Sequence, residues 1–93
     1  MRQEVDGKIF DTDGSFHLGM VEGGCDYGKV ENHLYRTPEG EFFFHRKFPP
    51  LYAVELGMME EIAPVQDRYE LVEWAEIQPD PAEAARLICG GAA

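Results

Sequence analysis

The sequence predicts an α+β domain: a small antiparallel sheet of about four strands, with helices from the C-terminal half packed on one face. Three observations predict it. The stretch Leu34-Tyr-Arg-Thr-Pro-Glu-Gly-Glu-Phe-Phe-Phe-His45 reads as two strands about a tight turn. Residues 7–22 repeat a strand–turn–strand pattern. After Pro49-Pro50 the apolar spacing changes from that of strands to that of helices.

The central hairpin is the clearest element. Leu34–Thr37 and Phe42–His45 carry aromatic and β-branched residues that suit a pleated surface. In Pro38-Glu39-Gly40 the proline presets φ for the first corner and the glycine accepts the last. The second strand sets Phe42 and Phe44 on one face, Phe43 and His45 on the other. A strand apolar on both faces belongs in the middle of a sheet.

Ahead of it, Gly7–Asp11 and Phe16–Glu22 are expected to pair through a turn at Asp13-Gly14-Ser15. Gly23-Gly24-Cys25-Asp26-Tyr27-Gly28 is expected to be a loop, with three glycines in six residues. Beyond the hairpin, Leu51–Leu56 suits a short helix closed by Gly57. Glu61–Val65 suits a brief strand or extended connector, because Pro64 forbids a helix interior. From Asp67 to Ile77 the spacing is helical: Leu71, Val72, Trp74 and Ala75 on one face, Tyr69, Glu70, Glu73 and Glu76 opposite. Asp80 and Pro81 begin a last helix, Ala82–Cys89, which Gly90-Gly91 should end.

The chain reads as one domain of 93 residues, β-hairpins over 1–47 and an acidic, mainly helical half over 48–93. No apolar run approaches the roughly 20 residues of a membrane span, and the N-terminus lacks a signal-peptide core. A cytoplasmic protein is expected, with Cys25 and Cys89 as free thiols.

Charge is the unusual feature. Eighteen acidic residues against eight basic ones give −10. From Phe48 to Ala85 the only basic residue is Arg68, against Glu55, Glu60, Glu61, Asp67, Glu70, Glu73, Glu76, Asp80 and Glu83. Such a field repels nucleic acid and attracts basic surfaces. A row of glutamates is ordinarily a solvated helix face that favours solubility. Concentrated on half of a small protein, it also suits a phosphate mimic that binds the lysines and arginines of a nucleic-acid site. The expected partner-binding residues are Glu55, Glu60, Glu61, Asp67, Glu70, Glu73 and Glu76.

Catalytic and metal signals are weak. Ile9-Phe10-Asp11-Thr12-Asp13-Gly14-Ser15 looks like the nucleophile motif of haloacid-dehalogenase-type phosphatases, in which the first carboxylate attacks phosphorus. The chain lacks the length and the alternating strand–helix order of that fold, and Asp-Gly is a common hairpin turn. His17, His33, His45, Cys25 and Cys89 show no paired short spacing of the kind a zinc site uses. Gly23-Gly24 lacks the strand–loop–helix setting and the lysine of a phosphate loop. No catalytic residue, metal or cofactor is expected.

Gly7-Lys8-Ile9-Phe10-Asp11-Thr12, the Leu34–His45 stretch and Trp74-Ala75-Glu76 together resemble a group of small proteins of bacterial mobile elements. Their pattern runs as a strand, an L-Y-x-T-x-x-G-x-F-F hairpin, an I-x-P segment and a helix with A-x-x-W. The likeness covers about two thirds of the chain. It departs over 46–61 and in the 79–93 tail. In size, charge and lack of a catalytic motif the chain is similar to phage and plasmid anti-CRISPR and anti-restriction inhibitors, several of them DNA mimics. The resemblance implies a non-catalytic inhibitor in a bacterial cell. Its partner would be a basic protein or nucleoprotein, such as a CRISPR effector, without direct nucleic-acid or membrane binding. The alternative is an interaction module, or a homodimer, that uses the aromatic sheet.

Overall fold

The structure, a computed structural model, describes residues 1–89. Its order is β1 (Arg2–Val5), β2 (Lys8–Asp11), β3 (Phe16–Cys25), β4 (Gly28–Arg36), β5 (Phe42–Lys47), α1 (Pro50–Leu56), β6 (Glu60–Pro64), α2 (Arg68–Glu76) and α3 (Pro81–Ile88). Strands β3-β4-β5-β6 form one antiparallel sheet in that order, and β1 and β2 form a separate two-stranded ribbon. The fold is α+β, as the sequence predicts.

The Leu34–His45 hairpin lies at its centre. Tyr35 pairs with Phe43 and Leu34 with Phe44. Thr37, itself buried, closes the turn: Glu41 N–H donates to its hydroxyl at 3.0 Å, and Gly40 N–H to its carbonyl at 2.9 Å. The expected strand from Leu34 is the end of a longer one that begins at Gly28.

The two faces of β5 are covered by different elements. Phe44 packs with Leu34, Leu71, Trp74, Ala75 and Ala84 under α2 and α3. Phe43, fully buried, packs with Phe10 and Ile62 beneath the β1–β2 ribbon. Phe10 meets Phe43 edge-on at 5.3 Å, and Tyr35 stacks on it at 5.2 Å. Such offset and edge geometries add to the area each ring buries.

Three expectations are corrected. Gly7–Asp11 does not pair with Phe16–Glu22: β2 pairs with β1, and β3 pairs with β4. The chain holds two Asp-Gly dipeptides, and the first makes the hairpin. Asp6 and Gly7 both take positive φ, 51° and 80°, the pattern of a two-residue I′ turn. Asp13-Gly14 instead turns the chain from one sheet to the other. Residues 23–28 are not a loop, since β3 continues to Cys25 and only Asp26-Tyr27 turns. Gly23 and Gly24 are held extended by their ladder partners Val30 and Lys29. Third, Val72 is not on the buried face of α2. It is 48% exposed, and the core takes Leu71, Trp74 and Ala75, at the i, i+3, i+4 spacing of one stripe.

The helix ends follow their caps. Pro50 starts α1, and Gly57, in the left-handed region at φ 72°, ends it. Asp80 caps α3 by accepting from Glu83 N–H at 3.1 Å. The expected stop at Gly90-Gly91 lies outside the described residues. Segment 60–64 is a full edge strand, with Pro64 at its end where a missing N–H costs least. No helix among the described residues is long and apolar enough to cross a membrane.

Candidate functional site

The seven expected binding carboxylates divide by what they already hold. Asp67 and Glu70 build the start of α2. The Asp67 carboxylate accepts from Tyr69 N–H at 2.9 Å, while Glu70 reaches back to accept from Gln66 N–H at 2.9 Å and Asp67 N–H at 3.3 Å. This reciprocal capping box satisfies donors that a helix start leaves open. Glu60 and Glu61 follow one another in β6 and so point to opposite faces of the sheet. Glu60 meets His45 Nε2 at 2.9 Å, and Glu61 accepts from the Arg46 guanidinium at 2.9 Å.

Glu55, Glu73 and Glu76 are exposed and make no hydrogen bond or ion pair among the described residues. Glu73 and Glu76 sit one turn apart on α2, because burial of Leu71, Trp74 and Ala75 turns them to solvent. Glu55 stands on α1. The structure therefore brings Asp67, Glu70, Glu73 and Glu76 onto one helix. It places Glu61 beside Arg46 on the face of the sheet that α2 covers, and sets Glu55 and Glu60 elsewhere.

Between α2 and the sheet is a recess of about 180 Å³, lined by Asn32, Phe44, Arg46, Glu70, Glu73 and Trp74. Arg46 lies over the Phe44 ring, 5.6 Å from its centroid, with its charge balanced by Glu61. Trp74 Nε1 and Asn32 Oδ1 are buried without hydrogen-bond partners among the described residues. Four of the eight basic residues, Lys8, Lys29, Arg46 and Arg86, are already in ion pairs with Glu41, Glu22, Glu61 and Glu83. Most of the eighteen acids have no such counter-ion among the described residues.

The three histidines, weighed in the sequence only as zinc ligands of poor spacing, are grouped by the fold. His17, His33 and His45, on three adjacent strands, meet on the sheet face opposite α2. His17 Nε2 lies 2.9 Å from His33 Nδ1, His33 Nε2 lies 2.9 Å from Glu31, and His45 is buried against Glu60. Burial, and secondly the neighbouring His33, pushes the His17 pKa below its ordinary value. The hydrogen bond from His33 holds the Glu31 carboxyl below its usual range. Burial, with the nearby Asp13 charge, raises Tyr35. The signal for this cluster was the strand register, which spacing along the chain does not reveal. No group of three or more His, Cys, Asp or Glu among the described residues is placed to hold a metal ion.

Asp11 serves its own turn, its carboxylate accepting from Asp13 N–H at 3.0 Å while its carbonyl accepts from Gly14 N–H at 3.2 Å. Cys25 and Cys89 are exposed free thiols.

Comparison with protein-family models, with curated proteins and with solved structures returns no match to this chain.

Proposed function

We propose that the protein is a non-catalytic inhibitor of the anti-CRISPR or anti-defence kind, carried by a mobile element and acting in the bacterial cytoplasm. It occupies a basic, nucleic-acid-handling site of a host complex with its acidic surface. The observation that carries this reading is the excess of acid, −10 on 93 residues, together with carboxylates on α1 and α2 that face solvent without counter-ions among the described residues. A site built for phosphates attracts carboxylates for the same physical reason, and α2 offers a fixed row of them. Asp67 and Glu70 serve by keeping that row in place, and Glu73 and Glu76 by presenting charge.

The alternative, an association through the aromatic sheet, has less support. Phe43 and Phe44 are covered within the chain, one by the β1–β2 ribbon and the other by α2. The test is displacement of labelled nucleic acid from purified CRISPR effector complexes at two salt concentrations. The reading predicts displacement that weakens as salt rises, because exposed charge pairs are screened. Binding to an effector without displacement, and indifferent to salt, contradicts it.

A further inference from the structure

Helix α1 and the turn after it leave apolar side chains in water. Leu51 (63% exposed) and Val54 (79%) lie on one side of the helix, Leu56 ends it, and Met58 and Met59 (71%) follow. The helix buries no residue of its own. It is held by Tyr52, which stacks on Phe48 at 4.3 Å and meets Tyr27 edge-on at 5.7 Å. A single exposed apolar side chain is ordinary, but five within nine residues make a run of the kind that marks an interaction surface. Tyr52 and the half-buried Ala53 seat the helix, and the exposed side chains contribute little to the fold.

The rim decides what covers this run. Glu55 stands inside it, exposed and without an ion pair among the described residues, and no basic residue lies between Phe48 and Asp67 in a chain of −10. Glu60 at its edge is held by His45 at 2.9 Å and faces Lys47 across the β5–β6 ladder. We propose that this surface docks a basic amphipathic segment of a partner protein. The apolar side of that segment seats on Leu51, Val54, Met58 and Met59, while its lysines or arginines face Glu55 and the net negative field of the chain. Unbranched methionines adapt to such a segment without a preformed socket. A second copy of this chain is a poor occupant, because an isologous contact sets the same acidic patch against itself across two chains of −10 each. An anionic lipid surface meets the same repulsion. The proposal deepens the function above and rests on it for the partner's positive charge, but it locates the apolar contact on α1 rather than α2.

The test is an NMR titration of the full chain with three probes: a helical Leu/Lys amphipathic peptide, a Leu/Glu peptide of the same pattern, and poly-lysine. The Leu/Lys peptide should bind and shift the amides of residues 51–60. The double variant Val54→Gln/Met59→Gln should weaken it at least tenfold, with the melting temperature unchanged because both side chains are exposed. The Leu/Glu peptide should not bind, and binding of poly-lysine should be indifferent to that variant. Glu73→Gln/Glu76→Gln should leave the Leu/Lys affinity within twofold, so failure of the α2 reading and failure of this one are separable. The proposal is overturned if the shifts map away from α1, or if the double variant binds the Leu/Lys peptide like the parent. Self-association that the double variant abolishes would assign the surface to a second copy. Binding to zwitterionic vesicles that the variant abolishes would assign it to a membrane, and either result also overturns the proposal.

Discussion

His17 and His33 are joined across β3 and β4 by one hydrogen bond, 2.9 Å from Nε2 to Nδ1. One ring must accept while the other donates, so the pair cannot be doubly protonated and keep the bond. Around it stand Tyr35 and Glu31 on β4, then His45 on β5 with Glu60 on β6. The His17 pKa is lowered from 6.5 in the folded chain, chiefly by burial. The unfolded chain therefore binds the proton first. As pH falls through about 6.5, stability falls, until the folded pKa is also passed. Glu31, lowered from 4.5, adds a loss below that value, as its carboxylate is protonated away from His33. Melting temperatures at pH 7.5 and 5.5 check the first step. The parent should lose more than His17→Gln, and equal losses would place the acid sensitivity elsewhere.

Phe43 is fully buried between Phe10 and Tyr35. Truncation to alanine leaves a ring-sized cavity, at a typical cost of about 3–5 kcal/mol. In a domain this small that removes a large part of the total stability. Denaturant titration should show the midpoint collapsing for Phe43→Ala. An unchanged midpoint would contradict the central placement of β5.

Gly19 follows the bulge in β3 and has φ +156°. A Cβ there would stand 2.9 Å from Trp74 Cη2 and 3.0 Å from Cζ2. The indole is buried under α2 and has little room to retreat. Gly19→Ala should cost about 1–3 kcal/mol, as overpacking typically does, and should shift the emission of the single tryptophan. Parent-like emission and melting would show that α2 sits more loosely on β3.

The central hairpin, α1 and α3 were legible because their boundaries rest on local chemistry: Pro38 and Gly40, Pro50 and Gly57, Asp80 and Pro81. The pairing of the first strands was not. Both Asp6-Gly7 and Asp13-Gly14 suit a hairpin turn, and the choice rests on tertiary contacts: β3 pairs with β4, and the β1–β2 ribbon packs Phe10 on Phe43. Gly23-Gly24 reads as a loop locally, but the ladder to Val30 and Lys29 overrides that preference. The acidic composition of the candidate site was plain. Which acids are already engaged was not, because Glu60 and Glu61 find His45 and Arg46 through the β5–β6 register.

Asp67 and Glu70 hold the first turn of α2. Losing an N-cap side chain typically costs about 1 kcal/mol. Asp67→Ala should lower the melting temperature by several degrees, on the scale of about 4–8 °C per kcal/mol for a domain of this size. Glu73→Gln should not lower it, since that side chain has no partner among the described residues. Equal effects of the two changes would contradict the capping role.

Because the capping pair is structural, the acidic surface is best tested with Glu55, Glu73 and Glu76. Single exposed charges contribute only about 0–1 kcal/mol each, so they must be neutralised together. The most direct measurement is the affinity of the parent and of the triple variant Glu55→Gln/Glu73→Gln/Glu76→Gln for a nucleic-acid-handling complex of the proposed kind, beside the melting temperature of each. The account predicts a parent-like melting temperature, a large loss of affinity and loss of the salt dependence. Parent-like affinity in a folded triple variant would contradict the claim that the acidic surface is what binds.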